Sequence, residues 1–390
     1  MQQLIVIESA AALLLVVGAC GPVAMAAGSA VAVAVVLLAG VRRRGRTPLE
    51  RLGAARALRA RRGRAAAAPV APGGLAGLGP AVECDPTLRT YSHDVRGRRP
   101  IGMIGDGGFL TTVLRVEDTT ALRYERDPRP LPLALVRDAL DVDDIRLESV
   151  QAVLHTRPAP AARPSPQSPD GANCAPSYAP RASPVVRITW IALKLNPELC
   201  PQAVAARGGG RAGAQKCAAR TALHLAGRLT GAGLGVTVLT EEELADAVAT
   251  SACADPLITA RVDPSQTPRR RTEESARSWR CDGRRHSTYW VRRWPGIDAG
   301  AGTGGLPHLV ARLTAVPALA TTFSLTIART GPGESGISGH VRVTGASEDE
   351  LDSARRELEA SAGEAKAQLV LLDHEQLPAV LATLPLGGTR

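Results

Sequence analysis

The chain is 390 residues long, 45% hydrophobic and 3% aromatic, with a formal net charge of +10. Ten arginines and Glu50 within residues 41–64 supply +9 of that charge, so the rest is close to neutral and a uniformly basic, nucleic-acid-coating protein is excluded. Seven cysteines with no C-x-x-C pair exclude a zinc-ribbon type of site, and their odd number does not suggest a disulfide framework.

Residues 4–40 (LIVIESAAALLLVVGACGPVAMAAGSAVAVAVVLLAG) are apolar, with Glu8 and the thiol of Cys20 as their ionisable groups. A single helix of that length would be roughly 55 Å long, against a hydrocarbon core of roughly 30 Å. Cys20-Gly21-Pro22 lies at the midpoint, where Gly-Pro breaks and reverses a helix. The expectation is a transmembrane hairpin over residues 1–41, with spans of about Leu4–Ala19 and Val23–Val41. A signal peptide would carry positive charge ahead of its apolar run, whereas here the arginines follow it. Under the positive-inside rule this predicts a two-pass plasma-membrane protein with both termini cytoplasmic. Residues 42–82 then read as a basic juxtamembrane segment and linker. Its arginines, Arg42 to Arg64, are candidates for anionic lipid headgroups.

The remainder predicts a cytoplasmic α+β body. Its first half spans 83–252 with a Pro/Ser-rich flexible insertion at 157–185, residues 253–277 form a linker, and the second half spans 278–390. LPLALVRDALDVDDIRLESVQAVLHTRP (131–158) aligns with LPHLVARLTAVPALATTFSLTIARTGP (306–332). Each reads as an amphipathic helix, a turn and an alternating strand. A further strand (VVRITWIALKL; ISGHVRVTGA), a long helix and a last strand (GVTVLT; AQLVLLD) follow in both halves. With an opening strand in front (FLTTVLRVE; STYWVRRW), each half has the order β-α-β-β-α-β, which suggests two ferredoxin-like repeats.

SWRCDGRRHSTYWVRRWP (278–295) interleaves aromatics with arginines, the composition of a nucleic-acid groove. Yet residues 286–294 alternate as a strand stopped by Pro295, and Arg292 between Trp290 and Trp294 offers an internal cation–π stack. These rings, Trp290 included, are expected in the core, and no nucleic acid is expected as a partner. The chain has no Gly-Lys dipeptide and so no Walker A loop. ARGGGRAGAQ (206–215) follows a helix rather than a strand, so the dinucleotide fingerprint fails; Arg207 and Arg211 leave a minor anion reading at the next helix start. GESGISGH around Ser335 lacks the second glycine of a nucleophile elbow. The histidines lack paired ligand spacing, Asp373-His374-Glu375 reads as a helix start capped by Asp373, and the EEE and SEDE clusters read as solvated first turns. No catalytic, cofactor-binding or metal residue is therefore assigned.

The order of parts resembles the EccE component of actinobacterial type VII (ESX-type) secretion systems. The blocks carrying the resemblance are RRRGRTPLERLGAARALRARRGR, GMIGDGGFLTTVLRVE, DDIRLESVQAVLHT, TWIALKLNPELCPQAVAARGGGRAGAQ, HSTYWVRRWP and LLDHEQLPAVLATLPLG, with AVAARGGG the most telling. The resemblance implies a non-catalytic membrane subunit that scaffolds or stabilises the secretion complex, beside the EccD-type channel protein and the EccB and EccC types. It implies no cofactor and no catalytic residues. The alternatives are a membrane-anchored regulatory or ligand-binding protein, or an enzyme of unrecognised type, using the α+β body, and a lipid- or nucleic-acid-binding adaptor using the arginine block.

Overall fold

Alternating residues that are buried on both sides of their strands set the architecture, because such strands must be covered by helices on one face and by chain on the other. The computed structural model describes residues 48–67, 75–117, 130–158, 185–260, 270–295, 305–331 and 334–388. The chain enters through helices α1 (Pro48–Ala67) and α2 (Gly79–Cys84), then strands β1 (Arg89–His93), β2 (Ile101–Gly105) and β3 (Leu110–Glu117). Next come α3 (Leu133–Asp138), the small ladder β4 (Asp141–Val142) and β5 (Ile145–Arg146), and the long strands β6 (Ser149–Pro158) and β7 (Val185–Leu195). Helices α4 (Pro201–Ala206) and α5 (Gly210–Gly231), strand β8 (Gly235–Val238) and helices α6 (Glu241–Ser251) and α7 (Pro256–Ala260) follow. The last third holds β9 (Thr272–Glu274), β10 (Trp279–Cys281), β11 (Arg284–Arg293), α8 (Leu306–Thr314), β12 (Ala320–Gly331) and β13 (Glu334–Gly345). It ends with α9 (Glu348–Glu364), β14 (Gln368–Leu371) and α10 (Gln376–Leu381).

One sheet of 12 described strands runs through all of this in the order β1-β2-β3-β7-β6-β12-β13-β11-β10-β9, with β8 beside β3 and β14 beside β11. Its paired strands are antiparallel. Two runs share one connectivity, β3-α3-β6-β7-α5-β8 and β11-α8-β12-β13-α9-β14, and their spatial orders correspond: β8-β3-β7-β6 and β14-β11-β13-β12. In each run one edge of the opening strand is shared end to end by two neighbours: β3 pairs β2 and then β8, and β11 pairs β10 and then β14. The runs join where β6 pairs β12, from Thr156 opposite Thr321 to Ser149 opposite Ala328.

One sheet face carries the long helices. Cys217, Ala218 and Leu225 of α5 pack on Leu114, Val150, Ile191 and Leu193, while Leu309 and Leu313 of α8 and Leu351 and Leu358 of α9 pack on Tyr289, Phe323, Val341 and Val343. The opposite face seats Leu244 and Val248 of α6 and Val380, Leu384 and Leu386 of the C-terminal segment on Val113, Val153, Trp190 and Ala192. Local signals support these elements. Thr240 and Glu243 make a complete capping box for α6, and Ser347 caps α9 by accepting from Glu350 N at 3.2 Å. The β10–β11 hairpin turns through Asp282 and Gly283, both at positive φ, as a two-residue turn of the primed class requires.

Residues 382–388 lie across the sheet and are held by side chains from three strands and from α6. Thr111 Oγ1 donates to Leu386 O (3.0 Å), Ser149 Oγ to Gly387 O (2.5 Å), Ser324 Oγ to Ala382 O (2.8 Å) and Ser251 Oγ to Thr383 O (3.3 Å). Gln151 uses both ends of its amide: Nε2 donates to Ser324 Oγ and Ala382 O, and Oε1 accepts from Gly387 N and Gly388 N at 2.8 and 3.0 Å. Gly387 and Gly388 have positive φ, and a Cβ at either would come within 2.6 Å of Lys194 or Thr326, so only glycine fits there.

Two expectations are corrected. Among the described residues no helix is long and apolar enough to cross a membrane. That finding overturns both the two-helix-hairpin fold class and the two-pass plasma-membrane placement drawn from it; the hairpin at residues 1–41 itself falls outside the described residues. The described protein is instead a mostly antiparallel sheet with helices. Within the expected juxtamembrane segment and linker (42–82), Leu78 and Ala81 are buried against the α6 side of the sheet.

Replacing Gln151 with Leu should leave the amides of Gly387 and Gly388 without an acceptor and cost about 2–4 kcal/mol. A thermal melt of the purified Gln151→Leu protein indistinguishable from wild type would show that the C-terminal segment is not held as described.

Candidate functional site

The sequence nominated four places, and the structure separates them. The arginine block begins to be described at α1. There Arg61 forks onto Glu274 (Nε to Oε2 2.9 Å, Nη2 to Oε1 2.8 Å) and also donates to His374 O, while Arg62 Nε donates to Glu274 O at 2.8 Å. The Glu274 side chain is 4% exposed. A bidentate pair of this kind is directional and partly desolvated, so these two arginines bind the body itself and hold α1 beside β9.

At the glycine-rich loop, Arg207 is bidentate to Asp144 at 2.7 and 2.8 Å and also donates to Ala203 O. Its hydrogen bonds hold the Asp144 carboxyl below the usual carboxylate range. Arg211 stacks over Tyr91, 5.4 Å from the ring centroid. The first turn of α5 does start at Gly209 without a side-chain cap, but both nearby arginines already have protein partners. Ser335 is exposed on β13, paired with Arg329 of β12, and His374 sits at positive φ in the turn after β14, its amide donating to Ala276 O. The two lie on different elements. Asp373 is not the α10 cap; that position belongs to Glu375, without a side-chain hydrogen bond.

The tryptophans are redistributed as well. Tyr289 (1% exposed) is core, as expected, and its hydroxyl donates to Glu359. Trp290, expected in the core, is 38% exposed; Trp279, 1% exposed and 5.0 Å from the His286 ring, is the deeply buried one. The cause is strand parity. Trp290 lies one residue from Tyr289 and so points to the opposite face, near the end of β11, where the sheet is less covered. Trp294 packs edge-on against Phe323 on the helical face.

What the sequence reading missed is a polar layer inside the protein. On the face beneath α6, β6 contributes Gln151 and His155, β12 Thr322 and Ser324, β13 Arg342 and Thr344, and β11 His286 and Thr288, all buried. His155 Nδ1 lies 2.9 Å from Thr322 Oγ1, and His286 Nδ1 lies 2.9 Å from Thr344 Oγ1. Arg342 Nη2 donates to Ser251 O, with Ser251 Oγ and Thr322 Oγ1 each at 3.3 Å. Arg284 Nη1 donates to Cys253 O (2.5 Å) and Ala254 O (3.1 Å). Two cations thus meet the carbonyl end of α6, where the helix dipole favours positive charge. The available signal was compositional: along β12 the alternate positions Thr322, Ser324 and Thr326 are small hydroxyls rather than the lysines and glutamates of a solvated face.

Burial, reinforced by Arg342 and Arg157, lowers the His155 pKa to about 3. Burial, reinforced by Arg342, Arg284 and His155, lowers that of His286, and burial lowers His340 to about 4. These rings are neutral at pH 7. Burial also raises the Cys84 thiol to about 12 and raises the Cys281 and Cys253 thiols, the reverse of what a nucleophilic thiolate needs. Among the described residues no group of three or more His, Cys, Asp or Glu side chains could hold a metal ion.

The fold and these residues define an α+β protein of one extended, mostly antiparallel sheet whose polar cluster is enclosed in the core. Residues 183–291, from β7 through most of β11, match the family model described as "Putative type VII ESX secretion system translocon, EccE". This match supports the EccE assignment, that is, a component of a type VII secretion system. The chain matches no curated protein.

Two outcomes are expected. Each histidine with a depressed folded-state pKa is protonated in the unfolded chain first, so its stabilisation is complete above about pH 6.5 and is lost as pH falls toward 3–4, at about 1.4 kcal/mol per unit. Melting midpoints measured from pH 7.5 to 4 should fall below pH 6.5, and a flat profile contradicts the buried neutral histidines. Separately, Trp279→Ala should cost about 3–5 kcal/mol and Trp290→Ala about 1–2 kcal/mol. Chemical denaturation that ranks them the other way overturns the assignment of faces.

Proposed function

We propose that this protein is a non-catalytic subunit that scaffolds a type VII secretion translocon, its sheet presenting surface to neighbouring subunits of the EccB, EccC and EccD types. The observation that carries the reading is the EccE family match over residues 183–291. That stretch includes β7 and β11, which belong to the two corresponding runs of the sheet, so the matched region draws on the frame of the whole body.

The arrangement of side chains supports the non-catalytic part. A nucleophile needs a base within hydrogen-bond reach and a third group that orients the base. Ser335 is exposed on a strand and has no such base among its described contacts, the buried thiols are held protonated, and the histidines of the core are enclosed. Function in such a molecule rests on what its surface holds together.

The test is a pull-down of tagged full-length protein from its native host, with the co-purifying proteins identified by mass spectrometry. Other secretion-system subunits should be recovered in stoichiometric amounts. Ser335→Ala and His374→Ala should each leave export within about twofold of wild type. Loss of export with either change, at normal protein level and normal assembly, would revive a catalytic reading.

A further inference from the structure

β11 and β13 run side by side with Thr288 opposite Arg342 and His286 opposite Thr344. Positions directly opposite, and positions two apart on one strand, share a face, so these four side chains form a two-by-two patch under the end of α6. Within the patch, Nε and Nη1 of Arg342, Oγ1 of Thr288 and Nε2 of His286 are buried without a hydrogen-bond partner among the described residues. Arg342 is 0% exposed, and its bonded nitrogen, Nη2, reaches a carbonyl and two hydroxyls rather than a carboxylate. A buried guanidinium without a counter-charge costs several kcal/mol.

The two unpartnered Arg342 nitrogens can only donate, while Thr288 Oγ1 and His286 Nε2 can each donate or accept. Thr344 Oγ1 lies 2.9 Å from His286 Nδ1 and 3.9 Å from Cys253 Sγ. Cys253 Sγ also lies 4.0 Å from Ser251 O as a donor, so these contacts leave the His286 tautomer open; an anion beside the ring selects the one with its proton on Nε2, Thr344 Oγ1 then donating to Nδ1. Arg342 Nε–H and Nη1–H, the Thr288 hydroxyl and His286 Nε2–H then offer donors from adjacent positions around a single fixed positive charge. A water molecule can pair with these atoms but leaves the buried Arg342 charge without a counter-charge. A monovalent anion fits both the donors and the charge. We propose that this patch is a structural anion site that takes a buried halide, chloride in solution, with Arg342 as its counter-charge and Thr288 and His286 as its remaining donors.

The ion would sit where the end of α6 meets the strands of the other run, so its binding should stabilise that contact. This inference does not depend on the secretion reading. It is tested on full-length protein by thermal melts in sodium chloride and in sodium gluconate at equal ionic strength. A ligand that binds only the folded state raises the midpoint in proportion to its occupancy. Chloride should raise the wild-type midpoint by at least about 2 °C over gluconate and then saturate, and bromide should do the same. Thr288→Val, which removes one donor and no charge, should shift half-saturation to several-fold higher chloride, whereas the surface change Ser335→Ala should not. Arg342→Met should abolish the chloride response if it folds. Whether or not it folds, anomalous diffraction from wild-type crystals grown with bromide should show a peak between Arg342, Thr288 and His286. Equal midpoints in chloride and gluconate, or water without anomalous signal at that position, overturn the proposal.

Discussion

The joint between β6 and β12 is the constraint on which the rest depends. Each of the two corresponding runs ends in a strand that would otherwise present a row of unpaired amides and carbonyls, a surface prone to unwanted pairing. Pairing these two edges removes both and makes one sheet of two runs. It also creates a long central face that the helices α3, α5, α8 and α9 do not cover, since they pack on the other side. The protein covers that second face with chain from two distant places: α6, which follows the first run, and residues 376–388, which follow the second.

How that cover is fastened explains the composition of the central strands. Chain without regular pairing carries backbone groups that must find partners when buried. The sheet supplies them from side chains: Thr111, Ser149, Gln151 and Ser324 serve the C-terminal segment, and Arg284 and Arg342 serve the carbonyls at and after the end of α6. Gln376 does the same at the seam of β10 and β14, its amide pairing with both Thr288 N and Thr288 O, much as a strand residue would. A fully apolar face would have packed well but left those carbonyls and amides unmatched. The polar layer thus specifies one seating of the cover, and its enclosed histidines and arginine follow from that seating.

This arrangement bears on the function through α1. The basic helix is not an independent tail, because Arg61 and Arg62 lock onto Glu274 of β9 and Arg270 donates to Ala65 O. Glu274 in turn accepts from Leu377 N at the start of α10. The entry helix, the last strand of the sheet and the C-terminal cover therefore share one carboxylate. For the scaffold role proposed above, such links fix distant segments relative to one another, and the EccE family match over residues 183–291 includes β9, one of the three linked elements.

By itself the sequence determined the local elements. Period-two alternation marked β6 and β12, the acidic EEE and SEDE first turns marked α6 and α9, and the order of helices and strands in residues 131–158 and 306–332 was legible because each element's periodicity is a property of a short window. The absence of paired ligand spacings and of a Walker loop was equally a sequence property. Tertiary structure alone decided which edges meet, and hence that two runs make one sheet. It also decided that Trp279 rather than Trp290 is the deeply buried ring, and that the alternate positions of β12 and β13 face a polar core rather than water. The physical reason is the same in each case. Alternation tells which residues share a face but not what lies against it, and here that cover comes from segments far away in the chain, such as Ser251 over Arg342 and Gly387 over Ser149.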